Sequence, residues 1–154
     1  RAIRMSGTLR RLCALSALQW RWLIAAQLLM PLIVLSLRTR GYSKTLAIIT
    51  PERHQKLAED STGADIEEAQ DMAWIVNIAA TRGPFKARCL TRSLALLALL
   101  QRTGIPAHLQ LGFRKNGDDF GAHAWVELQG IPLNDSARKV ALYQHFRGEC
   151  ESVL

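Results

Sequence analysis

Cysteine is scarce in this chain of 154 residues: Cys13, Cys89 and Cys150 stand far apart, with no C-x-x-C pair among them. An odd, scattered set excludes a disulfide scaffold and predicts a reducing, cytoplasmic setting. No ligand pair that includes Cys89, His108, His123 or His145 has metal-motif spacing, so neither a metal nor a cofactor is expected. Aromatic residues are few, 4 Trp, 2 Tyr and 4 Phe, and no nucleic-acid motif accompanies the net charge of +7. A nucleic-acid partner is therefore not expected. Long apolar runs are missing too. Trp22 to Leu37 is interrupted by Gln27, Pro31 and Ser36 and falls short of the ~20 residues of a spanning helix. The Arg38-Thr39-Arg40 that follows offers no small-residue cleavage site for a secretory signal.

What remains, 49% hydrophobic and 21% charged residues, is the composition of an ordinary globular domain, which at this length buries roughly 68–70% of its unfolded surface. Charge divides the chain. Residues 1–56 hold ten Lys and Arg against Glu52 alone, a net +9, whereas 57–154 hold ten basic and twelve acidic side chains, a net −2. We read a basic, apolar N-terminal helical segment (1–56) packed on a core (57–154) as one compact unit. The segment suits an acidic partner or peripheral contact with a membrane. In it Leu9, Leu12, Leu15, Trp20, Leu23 and Leu28 recur at near-helical spacing, with Arg10, Arg11 and Arg21 between them, and a helix is expected to kink or end near Pro31. Thr50-Pro51-Glu52 has the pattern of an N-cap with proline at the first helical position, predicting a short polar helix over 51–60, then a loop to Gly63.

From Ala64, the 3-4 spacing of Ile66, Ala69, Ala73, Val76 and Ala80 predicts a helix ending near Gly83-Pro84, with Asp65, Glu67, Glu68 and Asp71 in its first turns. Cys89 to Arg102 is apolar nearly all round, hence a buried helix, with Gly104 at its C-cap and Pro106 barring continuation. The period then becomes alternating. Strands are predicted over 107–113 and 121–128, with Asn116-Gly117 as a hairpin signal, and Gly130 turns the chain into an edge strand from Ile131. The stretch 140–147 is weakly helical. The fold class is α+β.

Cys89 opens the buried helix, so unpaired N–H groups and the positive end of the helix dipole face its sulfur, a placement that favours thiolate. On its own such a cysteine is commonly a small buried hydrophobe. His123, in Ala122-His-Ala-Trp-Val-Glu, sits on a rigid strand, where an imidazole suited to taking a thiol proton and returning it to a leaving amine belongs. Asp135 follows twelve residues later, beyond the turn at Gly130, and antiparallel strands of that span bring it beside His123 to fix the tautomer. The order cysteine at a helix start, histidine on a strand, aspartate on the next is specific where each residue alone is not. Arg92 suits a substrate contact or an ion pair with the acidic helix 65–71. Trp125 is a core wall beside His123 or a substrate contact. The Cys89 N–H is one candidate oxyanion donor.

Cys89-Leu-Thr-Arg-Ser-Leu-Ala-Leu, Gly104-Ile-Pro-Ala, Ala122-His-Ala-Trp-Val-Glu and Pro132-Leu-Asn-Asp together resemble the transglutaminase-like leader peptidases of lasso-peptide biosynthesis. The resemblance is strong over Phe85 to Asp135 and looser over the N-terminal helix. It implies a papain/transglutaminase-like core, a nucleophile helix on a small antiparallel sheet. It also implies a Cys-His-Asp triad at Cys89, His123 and Asp135 that removes the leader from a ribosomally made precursor peptide through a thioester. The partners it implies are a leader-recognition protein and an ATP-dependent lasso cyclase. Acyl transfer by the same triad, and a non-catalytic peptide-binding scaffold, are the alternatives.

Overall fold

The computed structural model describes residues 15–50, 63–84, 87–116 and 119–145. The first helix, α1 (Ala17–Ile49), opens with a capping box: Ser16 Oγ accepts from the Gln19 N–H, and the Gln19 side chain accepts from the Ser16 N–H. Helical geometry continues through Pro31, and the break comes ten residues later at Gly41, with φ 80° and ψ 176°. Pro31 lies on the exposed side, while Ala26, Met30 and Ile33 on the opposite side hold the helix to the core across it. Gly41 takes a positive φ at little steric cost. Beyond it, buried Thr45 donates to the Gly41 carbonyl at 2.7 Å and accepts from Ser36 at 2.9 Å, pinning the two arms together. The 16-residue run counted in the sequence thus belongs to a 33-residue helix, long and apolar enough to cross a membrane by length and composition. Its Ala26, Met30 and Ile33, however, are buried in the common core.

That core is shared with α2 (Gly63–Arg82) and α3 (Cys89–Thr103). Ala69, Met72, Ala73, Val76 and Ala80 face inward from α2, and every residue from Ser93 to Leu100 of α3 is buried. The Gln27 side chain donates to the Ala79 carbonyl, tying α1 to α2. Each fully buried leucine contributes about 1.5–3 kcal/mol, which makes α3 a fixed mount for the residue at its start. It ends at Gly104, φ 83°, where the N–H groups of Gly104 and Ile105 close on carbonyls of the last turn.

The sheet is antiparallel, with spatial order β3 (Ile131–Pro132), β2 (Asp119–Leu128), β1 (His108–Asn116), β4 (Gln144–His145). β1 and β2 pair with Asn116 opposite Asp119; Gly117 of the expected hairpin signal lies outside the described residues. Gln129 (φ 52°) and Gly130 (φ 76°) turn the chain into β3 (Ile131–Pro132); two consecutive positive φ values are the type I′ signature. Over 140–145, the described part of the expected helix 140–147, other structure stands. A short α4 (Ala137–Val140), capped by Ser136, comes first, and then β4 (Gln144–His145) pairs with Gly112 and Phe113 of β1. Ladder bonds from an edge outweigh a weak helical preference. Ala124, Val126 and Leu128 join the core with α3, while His123 and Trp125 alternate to the other side of β2. The expected helix at 51–60, the division at residue 56, Cys13 and Cys150 lie outside the described residues.

Candidate active site

Cys89 is the first residue of α3. Arg88 precedes it in extended conformation and makes no side-chain capping bond, and no acidic residue occupies the first turn. The leading N–H groups of a buried helix are thereby left for an anion or an oxyanion at that end. The half-buried cysteine and His123 line one cavity of about 380 Å³ whose other walls include Leu90, Leu111, Phe113, Phe120 and Ala122. No hydrogen bond joins the thiol to the imidazole among the described residues, and such bonds commonly tighten only when substrate binds.

Asp135 lies just past β3, in the loop that leads to α4, not on the strand itself. Leu133 N–H still reaches the Val126 carbonyl at 2.9 Å, which carries the loop alongside β2. Asp135 Oδ2 accepts from His123 Nε2 at 2.7 Å and from Arg92 at 2.8 Å, and Oδ1 accepts from Lys139 at 2.8 Å. A carboxylate only accepts, so Nε2 bears the hydrogen, and in the neutral ring Nδ1 is the nitrogen that carries the lone pair. Burial raises the Asp135 pKa, but the hydrogen bonds from Lys139 and His123 and the charges of Arg92 and Lys139 outweigh it, holding the carboxyl below its ordinary value of 3.8. The stability this group adds is full above 3.8 and is lost as pH falls through the lowered folded-state value. Below pH 4 the wild-type denaturation midpoint is therefore expected to fall more steeply with acid than that of Asp135→Asn; parallel slopes would contradict this account.

Arg92 engages Asp135 instead of the acidic first turns of α2, which corrects one of its two expected roles, the ion pair with 65–71. One turn past Cys89 on the same helix, it ties the candidate carboxylate to the candidate nucleophile's own mount. Its neighbour Ser93 does the same through a buried chain: Asn134 Oδ1 accepts from Val126 N–H, its amide donates to Ser93 Oγ, and Ser93 donates to the Ala124 carbonyl, each at 2.9 Å. Asn77 of α2 donates to the Asn134 carbonyl at 3.2 Å.

Trp125 is fully buried, so it offers a substrate no surface; it forms the wall under His123. Its ring centroid lies 6.1 Å from the imidazole, Tyr143 stands 5.0 Å from the imidazole, and the indole N–H donates to Glu127 at 2.7 Å. His145 packs edge-on to Trp125 at 5.2 Å. Sequence reasoning missed Tyr143, Lys139 and Gly112. Gly112 faces His123 in register, and a Cβ there would stand 2.7 Å from the Trp125 ring and 2.8 Å from Tyr143 Cβ. A glycine inside a strand signals such a close approach. Gly112→Ala is expected to cost about 1–3 kcal/mol by overpacking, read as a lowered denaturation midpoint; an unchanged midpoint would show that the aromatic wall yields freely.

A buried helix that opens on Cys89, with an adjoining antiparallel sheet, is an α+β arrangement of papain/transglutaminase type, and the family model described as transglutaminase-like superfamily matches residues 29–147, most of the chain. The chain belongs to that superfamily. It is 44% identical over 52 residues to the microcin J25-processing protein McjB of Escherichia coli, a stretch that is 34% of this chain and 24% of that protein. The match thus spans about a quarter of the relative's length. No solved structure matches the chain significantly.

Proposed function

We propose that the protein is a thiol-dependent peptidase that removes the leader from a ribosomally made lasso-peptide precursor. The observation that carries this reading is the cavity common to Cys89 and His123, with Asp135 holding Nε2 so that Nδ1 is the nitrogen free to serve the thiol. In the proposed reaction Cys89 gives its proton to His123 Nδ1 and its sulfur attacks the scissile carbonyl carbon. The tetrahedral oxyanion is met by N–H groups at the start of α3, including that of Cys89. As the intermediate collapses, the C–N bond breaks, imidazolium protonates the leaving amine, and a thioester remains. Water, deprotonated by the same imidazole, then attacks the thioester; the C–S bond breaks, the acid is released and the thiol is restored. The apolar walls favour an uncharged side chain beside the cut bond.

The name of the relative, a processing protein, supports a peptide substrate. The proposal includes a cytoplasmic setting, a leader-recognition protein that delivers the precursor, and an ATP-dependent cyclase that uses the freed amine. Incubating the protein with a lasso precursor, with and without such a recognition protein, and weighing the products tests it. Masses of leader acid and core amine that sum to precursor plus water support hydrolysis. Leader joined to an added amine would establish acyl transfer instead, and an unchanged precursor in both conditions would overturn the proposal.

A further inference from the structure

The face of α1 opposite the core is unusual. Trp20, Ile24, Leu28, Leu32 and Leu35 are between 45% and 64% exposed, and their steps of 4, 4, 4 and 3 residues place them in one stripe about 22 Å long. Exposed apolar patches of this kind on a soluble domain mark an interaction site. Two further observations narrow the occupant. Arg21 and Arg38 lie in the same angular sector at the two ends of the stripe, and α1 contains no acidic residue at all. Among the described residues, neither arginine makes an ion pair. The chain ahead of the helix adds Arg1, Arg4, Arg10 and Arg11, again without an acid. Apolar in the middle, cationic at both ends and carrying a tryptophan near one end, the stripe has the chemistry of a helix lying in the headgroup layer of an anionic bilayer. Spanning is a different matter. Ala26, Met30 and Ile33 are committed to the core, so the packed helix has only one face to give to lipid.

We propose that α1 holds the protein on an anionic membrane surface, with Leu28 and Leu32 at the centre of the inserted stripe and Arg21 and Arg38 on lipid phosphates. The inference is independent of the peptidase reading. The test is co-sedimentation of the full chain with vesicles of phosphatidylcholine alone and of phosphatidylcholine mixed equally with phosphatidylglycerol. At low salt, partition is expected to be at least about tenfold stronger onto the anionic vesicles and to weaken as salt screens the arginines. Leu28→Glu with Leu32→Glu should abolish it with circular dichroism unchanged. Should that variant misfold, Arg21→Gln with Arg38→Gln, which leaves the apolar stripe intact, should lower anionic partition severalfold toward the neutral-lipid level. Equal partition onto both vesicles, or none onto either, overturns the proposal. So does a dimer in solution that the glutamate pair dissolves while vesicles bind nothing, since the stripe would then be covered by a second copy of the chain.

Discussion

Cys89→Ala is expected to bring precursor cleavage down by about six orders of magnitude, below detection, because removing the nucleophile of a comparable serine triad costs about 10⁶-fold. The fold should scarcely notice. Alanine is the best helix former, the position is at the open end of α3 and only half-buried, and a change of this kind stays within about 0.5 kcal/mol. Product mass spectrometry beside a denaturation curve reads both. Cys13→Ala and Cys150→Ala, outside the matched sequence motifs, should remain active. Retained cleavage by Cys89→Ala, or loss in a folded variant of either other cysteine, would remove Cys89 from its role.

The second large effect is expected from Asp135→Asn. With Nε2–H held by a carboxylate, Nδ1 is free to take the thiol proton; an amide that turns its NH₂ toward the ring selects the opposite tautomer and puts a hydrogen where the base is needed. The corresponding change in a serine triad lowers turnover about 10⁴-fold. The structure adds a consequence absent from the triad analogy. Asp135 also neutralises Arg92 and Lys139, so the variant leaves cations facing a neutral amide and should unfold more readily at neutral pH. Arg92→Gln separates the two effects: it disturbs the carboxylate but keeps its charge on His123, and a smaller loss of turnover with KM little changed is expected. If Asp135→Asn costs less than about tenfold while folded, another group orients the imidazole. The nearest substitutes are already engaged, Asn134 by Val126 and Ser93, and Glu127 by the Trp125 indole.

Local chemistry was readable along the chain wherever the signal was periodic or conformationally forced. The α2 spacing, the all-apolar α3 with its left-handed glycine, the two long strands and the turn at Gly130 are each dictated by residues a few positions apart. So is the placement of Cys89 at a helix start and His123 on a strand. Tertiary structure decided what depends on contacts across the fold. Whether α1 breaks at Pro31 or Gly41 rests on what covers each turn. Whether residues 144–145 coil or pair rests on an edge of β1 that sequence does not announce. Arg92 has no carboxylate near it in the sequence, Asp71 and Asp118 being the nearest on either side, and only the docking of the Asn134 loop between α2, α3 and β2 brings it to Asp135. Gly112 is one glycine among 10 until Trp125 and Tyr143 close over it. The residue types that can perform thiol chemistry are thus a property of the sequence. The gathering of a carboxylate, two cations and two aromatic walls around one imidazole belongs to packing, because those groups come from segments that only the shared core brings together.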